Sequence, residues 1–287
     1  MIVDAHHHVW DPGRRRHDWL ADFPALRRRF GLDDFADAAA AEGIGASVLV
    51  QVLNDTAETE EFLALAGRGS LVAAVVGWAD LAGPDVAAEI ARLRGLPGGN
   101  RLAGLRHLVQ DEPDPGWLDR PEVRRGLRAA AAAGLCFDLL VRPGQLPAAV
   151  RVTGDLGDVR FVLDHGGKPA IGAGLVEPWA RQVAELASRP NVTCKLSGLV
   201  TEAGPGWEPG QIAPYAGWML DCFGPGRLMF GSDWPVCTLA ATYGQVTALA
   251  RTLVGGRLSA AETDAVFGQN AVAVYGLRPP AVRRRAE

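Results

Sequence analysis

Eight short runs rich in Val, Ile, Leu and Phe recur along this chain, separated by longer Ala/Leu/Glu/Arg segments, and this rhythm restricts the fold more than any other feature. The runs are 2–9, 46–53, 72–79, 102–109, 136–141, 160–165, 192–197 and 227–232. Near-continuously apolar strands belong to parallel sheets covered on both faces, and parallel neighbours need a crossover, usually a helix. Helices are predicted over 32–42, 57–66, 84–93, 120–133, 144–154, 176–188 and 212–223, with two more, 240–254 and 260–274, ending the sequence. Eight strand–helix units predict an α/β fold of the closed (β/α)8 barrel type. The rival, an open doubly wound sheet, lacks its glycine-rich turn after the first strand, where Asp4-Ala5-His6-His7-His8 stands instead. Pro/Gly clusters at 111–117 and 204–210 do not stop the rhythm, so 1–287 reads as one domain.

Composition removes several function classes. No stretch of eighteen uninterrupted apolar residues occurs, so a membrane span is not expected. The net charge of −4 argues against a nucleic-acid footprint, and the three-residue Arg runs at 14–16, 27–29 and 283–285 are too short to make one. Four cysteines without CxxC spacing read as free thiols, and the N-terminus shows no basic-then-apolar leader, so a cytoplasmic location is expected. Of 29 basic residues only Lys168 and Lys195 are lysines, which singles out both positions.

In a closed parallel barrel, chemistry sits where strands end at the carboxyl face. His6 and His8, two apart on a strand, share a face and form a chelating pair, while His7 points away; Asp4 is expected on the same face, orienting an imidazole. His165 ends the sixth run before Gly166-Gly167 and is placed as ligand, acid or carbonyl polariser. Asp233 ends the eighth run, where a buried carboxylate needs a partner, and is the general-base candidate. Arg106 either binds a carbonyl or carboxylate oxygen or closes the barrel floor as an ion pair, while His17 and His107 read as structural.

The runs Asp4-Ala5-His6-His7-His8-Val9-Trp10, Gly77-Trp78-Ala79-Asp80-Leu81, Asp164-His165-Gly166-Gly167-Lys168-Pro169, Asn191 through Leu199, and Phe230-Gly231-Ser232-Asp233-Trp234-Pro235-Val236 together resemble the amidohydrolase superfamily, and more closely its lactonase branch. The resemblance implies a distorted barrel with His6, His8, His165 and Asp233 at the reaction centre. The metal-bridging Lys or Glu of many superfamily members is missing from the fourth and fifth strands, so a binuclear site is not expected. One divalent ion, Zn²⁺ by preference, is expected on His6, His8 and Asp233; without metal, the histidines would hydrogen bond the lactone carbonyl.

The activity this implies is hydrolysis of a sugar-acid lactone, with Asp233 taking a proton from water and His165 or the metal site polarising the carbonyl. Trp10, Trp78 and Trp234 are candidate platforms for a sugar ring, and Gln51, Asp138 and Ser197 for its hydroxyls. Arg106, Arg142, Lys168 and Lys195 are the strand-end cations, too few to favour a doubly anionic substrate. Lys168 and Lys195 are expected at the mouth, with a loop cation and a buried carboxylate partner as the competing readings. A carboxylated lactone, a metal-dependent decarboxylation and a non-catalytic sugar-acid-binding role are the alternatives. The small-molecule lactone is the expected partner, and homo-oligomerisation is left open.

Overall fold

A computed structural model describes residues 1–68 and 71–277; the Arg run 283–285 lies outside them. The strands β1 (Ile2–His7), β2 (Ile44–Val50), β3 (Val72–Gly77), β4 (Leu102–His107), β5 (Cys136–Leu139), β6 (Phe161–Leu163), β7 (Val192–Leu196) and β8 (Leu228–Phe230) pair in parallel in sequence order. Between β8 and β1 there is no regular ladder. Asp233 N donates to His6 O at 2.8 Å and His8 N donates to Trp234 O at 2.7 Å, so the seam of the barrel is made by the residues just beyond β8. The result is a nearly closed (β/α)8 barrel.

The helices α1 (Leu32–Ala40), α2 (Thr56–Ala66), α3 (Val86–Gly95), α4 (Pro121–Ala132), α5 (Leu146–Asp155), α6 (Trp179–Ala187), α7 (Leu199–Ala203), α8 (Pro209–Phe223) and α9 (Tyr243–Gly255) follow the strands. Local chemistry sets their starts: Asp55 accepts from Ala57 N ahead of α2, and Thr242 accepts from Gln245 N ahead of α9. The last predicted helix, 260–274, is divided into α10 (Ala260–Asp264), a π turn over Ala265–Gln269, and α11 (Asn270–Tyr275). No helix among the described residues is long and apolar enough to cross a membrane.

Alternation along the strands sorts side chains into two apolar groups. Leu49, Val75, Leu105 and Leu163 pack outward against the helices, whereas Val48, Val50, Val76, Val162 and Met229 fill the barrel together with Tyr275 of α11. β1 departs from strict alternation. Val3 and Ala5 belong to the interior group, but the pairing with β2 shifts register between Asp4 and His7. That bulge turns His6 inward after Ala5 and leaves Asp4 facing α9, where it accepts from Ser232 Oγ at 2.6 Å and Tyr243 OH at 3.0 Å. The expectation that Asp4 shares the histidine face and orients an imidazole is therefore corrected; its contact with His6 is to the backbone N–H, at 3.1 Å.

β6 and β8 stop after three residues, earlier than the apolar runs suggest. Both continue into non-glycine residues with left-handed backbone, His165 at φ +54° and Asp233 at φ +58°, and Lys168 follows at φ +53°. These are the three non-glycine positive-φ residues among the described residues. Such conformations cost of order 1–3 kcal/mol each and concentrate at functional sites.

Candidate active site

Four side chains converge where β1, β6 and β8 end. His6 Nε2 lies 3.2 Å from His8 Nε2, and Asp233 Oδ1 lies 3.4 Å from His8 Nε2, 3.8 Å from His6 Nε2 and 3.9 Å from His165 Nε2. Two glycines make the convergence possible. A Cβ on Gly198, at φ +68°, would stand 2.6 Å from His165 Nδ1, and one on Gly231 would stand 2.7 Å from the His6 Cβ. Each imidazole is held from behind. His8 Nδ1 meets Val50 O at 2.8 Å, which puts its proton on Nδ1 and the Nε2 lone pair toward Asp233. His165 Nδ1 meets Ser197 Oγ at 2.9 Å.

Burial sets the charge states. His165 is pushed down to about 4, chiefly by desolvation, and His6 and His8 are lowered for the same leading reason, so the imidazoles are neutral at neutral pH. Asp233 is pulled up by burial, but the neighbouring His165 and His8 outweigh it and hold the carboxyl below its ordinary range. The centre is thus an ionised carboxylate among neutral imidazoles. Neutral nitrogens with lone pairs facing one another 3.2 Å apart, beside a carboxylate, form a donor set suited to a cation. Ligand atoms of His6, His165 and Asp233 lie within 4.8 Å of one another.

Beneath His6 the barrel interior is ionic. Lys195 Nζ sits 2.6 Å from Asp138 Oδ2, 2.9 Å from Asp164 Oδ1 and 3.1 Å from His6 Nδ1, with all three partners and the lysine fully buried. Arg106 bonds Asp164 Oδ2 at 3.0 Å and also Gln51 O, and Tyr275 OH donates to Asp138 Oδ2 at 2.9 Å. Burial acts to raise the Asp164 pKa, but Lys195, His6 and Arg106 prevail and hold it well below the carboxylate range. Asp164 therefore fixes the His6 ring from the side opposite Asp233.

A cavity of about 450 Å³ opens above this centre, with His8, Arg106, His165, Lys168 and Asp233 on its wall. Its apolar part comes from Trp19, Phe23, Val52, Leu108, Leu140 and Leu239. A smaller cavity, about 250 Å³, lies behind Trp10 and contains none of the converging groups.

A family model described as amidohydrolase matches residues 3–277. The chain belongs to the amidohydrolase family. L-fucono-1,5-lactonases from Burkholderia ambifaria and Burkholderia multivorans are each 38% identical to it, with 99% of this chain and 99% of each relative covered. A crystal structure of an amidohydrolase from Burkholderia multivorans with bound zinc is also 38% identical, covers 97% of this chain and 100% of that one, and has a TM-score of 0.89.

Within this amidohydrolase, the sequence-predicted residues divide sharply. His6, His8, His165 and Asp233 come together, and Arg106 and Lys168 stand on the cavity wall. Lys195, expected at the mouth, is instead 0% exposed and locked to two carboxylates, and its partner Asp138 is equally buried, so neither presents surface to a substrate. Gln51 is buried against Arg106 and supports that side chain, accepting from it and donating to its carbonyl at 3.1 Å. The three tryptophans do not line the cavity. Trp10 donates to Leu26 O and packs on Phe30, Trp234 packs on Phe30 and Phe35, and Trp78 donates to His107. Strand-end position predicts height in the barrel but not which way a large ring leans, and here the β1–α1 loop draws Trp10 and Trp234 into its own core.

Asp164 was missed by sequence reasoning although the signal existed. It is two residues past the inward Val162, so it ends a buried strand as an inward carboxylate and needs a partner as much as Asp233 does. Trp19, Gln110 and Thr201, which border the cavity, were not anticipated either; they lie on loops and on the short α7, where no periodicity marks them.

Proposed function

We propose that this amidohydrolase is a lactonase that opens the ring of a neutral, hydroxylated sugar-acid lactone. The observation that carries the reading is the ionised Asp233, surrounded by neutral imidazoles, on the wall of a cavity large enough for one sugar ring. Its naming relatives, the two Burkholderia L-fucono-1,5-lactonases, support the reaction class.

Asp233 takes a proton from water as the water oxygen bonds to the carbonyl carbon, then delivers it to the ring oxygen as the ring C–O bond breaks. Arg106, a cation bordering the cavity, stabilises the oxyanion by its charge, and His165 orients the reacting groups. His6, His8, His165 and Asp233 would hold one divalent ion, zinc by the donor set and by the zinc-bearing relative, and such an ion supplies Lewis-acid polarisation of the carbonyl. The residues of this chain fit that role because their donors already converge.

Charge favours a neutral lactone over a carboxylated one. The wall carries Arg106, Arg142 and Lys168 against Asp22, Asp111, Glu202 and Asp233. Each cation is already paired: Arg106 with Asp164, Arg142 with Asp111 at 3.6 Å, and Lys168 with Glu202 at 3.4 Å. A dianion would find no free cation there, and the carboxylate product of hydrolysis is repelled after it forms. The test is acid release from a panel of aldonolactones and carboxylated lactones, with Asp233→Asn alongside. A neutral lactone should be the best substrate, and the variant should lose about 10²–10⁴-fold in kcat. Preference for a dicarboxylate, or an Asp233→Asn enzyme near normal, refutes the assignment.

A further inference from the structure

Asp233 has to be held where it stands. Its backbone is left-handed at φ +58°, and a non-glycine residue keeps such a conformation only where its surroundings over-determine it. It also lies at the seam between β8 and β1, where no regular ladder supports the chain. The support comes from a side chain that the proposed mechanism does not use. Asp4, fully buried on β1, accepts at Oδ1 from two backbone N–H groups, Ser232 N at 2.9 Å and His6 N at 3.1 Å. Its Oδ2 accepts from Ser232 Oγ at 2.6 Å and from Tyr243 OH at 3.0 Å. Ser232 Oγ in turn accepts from Trp234 N at 3.0 Å.

The residue before Asp233 is therefore bonded to Asp4 twice, and the residue after it is bonded to Asp4 through the Ser232 hydroxyl. Asp233 is pinned between them by its own N–H, which donates to His6 O at 2.8 Å. A hydroxyl that spans the chain on both sides of Asp233 resists relaxation of the left-handed turn, because relaxing it breaks hydrogen bonds between groups removed from water. Since Asp4 Oδ1 also receives the His6 N–H, one carboxylate sets the peptide of His6 and the turn of Asp233 against each other. Four donors match the roughly four lone-pair sites of a carboxylate, so Asp4 is fully committed to this task.

We infer that Asp4, acting through the Ser232 hydroxyl, is the positioning residue for the general base, keeping the Asp233 carboxylate within reach of His8, His6 and His165. It acts from behind the site, with no exposed surface of its own. This rests on the lactonase reading, in which Asp233 is the base, and adds the group that sets its place.

The experiment measures kcat and KM for a six-membered aldonolactone, with melting temperature alongside, in wild type, Ser232→Ala, Ser232→Cys, Tyr243→Phe and Asp233→Asn. Ser232→Ala and Tyr243→Phe each remove one hydroxyl bonded to the same oxygen, Asp4 Oδ2, so both should lower the melting temperature. Only the Ser232 hydroxyl leads on to the turn of Asp233. Ser232→Ala should lose about 10- to 10²-fold in kcat with KM within about twofold of wild type, as expected when a reacting group is displaced and substrate contacts are kept. Tyr243→Phe should keep kcat within about twofold. Ser232→Cys, whose thiol is a weak donor and acceptor in the same place, should fall between wild type and Ser232→Ala, and it carries the comparison if Ser232→Ala does not fold. Wild-type kcat in the folded Ser232 variants, a loss that falls on KM instead, or an equal loss of kcat in Tyr243→Phe overturns the inference while the lactonase reading stands. If wild type opens no lactone, or Asp233→Asn is near normal, the lactonase reading fails and this inference falls with it.

Discussion

Replacing Lys195 with Met tests the ionic layer beneath His6. The ammonium touches Asp138 at 2.6 Å and Asp164 at 2.9 Å in a fully buried site. Asp164 keeps Arg106 at 3.0 Å after the substitution, so Asp138 is the carboxylate left stranded, with only the Tyr275 hydroxyl and the weak Cys136 thiol contact remaining. Methionine retains the apolar stem, and the stranded carboxylate avoids burying a bare charge by taking up a proton. From the ordinary aspartate value of 3.8, holding that proton at pH 7 costs at most roughly 4 kcal/mol at 1.36 kcal/mol per unit, less the part the native protein already bears because burial raises Asp138 there too. This agrees with the ~3–5 kcal/mol measured when one partner of a buried pair is removed.

The sign with pH distinguishes this mechanism from a packing defect. A carboxyl whose folded pKa is raised is most stable protonated, so its cost is absent below the unfolded value and grows as pH rises above it. The deficit of Lys195→Met should therefore shrink from at most roughly 4 kcal/mol at pH 7 to at most about 1.5 kcal/mol at pH 5. Chemical denaturation at the two pH values measures it, and adding Asp138→Asn should recover most of the loss at pH 7. A deficit equal at both pH values, or a double variant no better than the single one, refutes the charge argument.

Metal analysis of the purified protein should find about one divalent ion per chain, and stripping it with a chelator should lower both activity and melting temperature, with zinc restoring both. Full activity and an unchanged melting temperature in stripped protein would leave catalysis to Asp233 and the histidines alone. Acid should destabilise the fold. All six histidines are lowered with burial as the leading cause, so their contribution is full above about 6.5 and is lost as pH falls from there toward their folded values. Glu58, raised to about 7, Asp4, raised to about 6, and Asp138, raised chiefly by burial, act in the opposite sense but are three against six. Melting temperature measured from pH 7.5 to 5 should fall; a rise would mean that the carboxyls dominate.

The barrel was legible because apolar strands and amphipathic helices must alternate to bury a parallel sheet; seven of the eight predicted runs contain an observed strand, and the run 46–53 overlaps β2, which begins two residues earlier. His6, His8, His165 and Asp233 were legible because strand-end polar residues have few structural uses. What the sequence does not display is the local departure from periodicity. The β1 bulge turns His6 inward after Ala5, and the left-handed turns at His165 and Asp233 cut β6 and β8 short; neither follows from alternation. Nor does residue type show depth. A lysine on β7 and an aspartate on β5, two strands apart in the barrel, read as mouth residues until their complete burial shows that they satisfy each other.

The two lysines now separate by what surrounds them. Lys195 must be an ammonium because two buried carboxylates lie within 2.9 Å of one nitrogen in a site with no exposed surface, and a planar guanidinium would need more room than the barrel interior leaves. Lys168 has no such enclosure: its side chain is 22% exposed and pairs with Glu202 at the cavity wall. The same Lys→Arg change therefore has different expected outcomes. Lys195→Arg should lower the melting temperature by several degrees and displace His6, reducing kcat, whereas Lys168→Arg should leave the melting temperature unchanged and raise KM. Equal effects of the two substitutions would show that residue type, rather than burial, governs both positions.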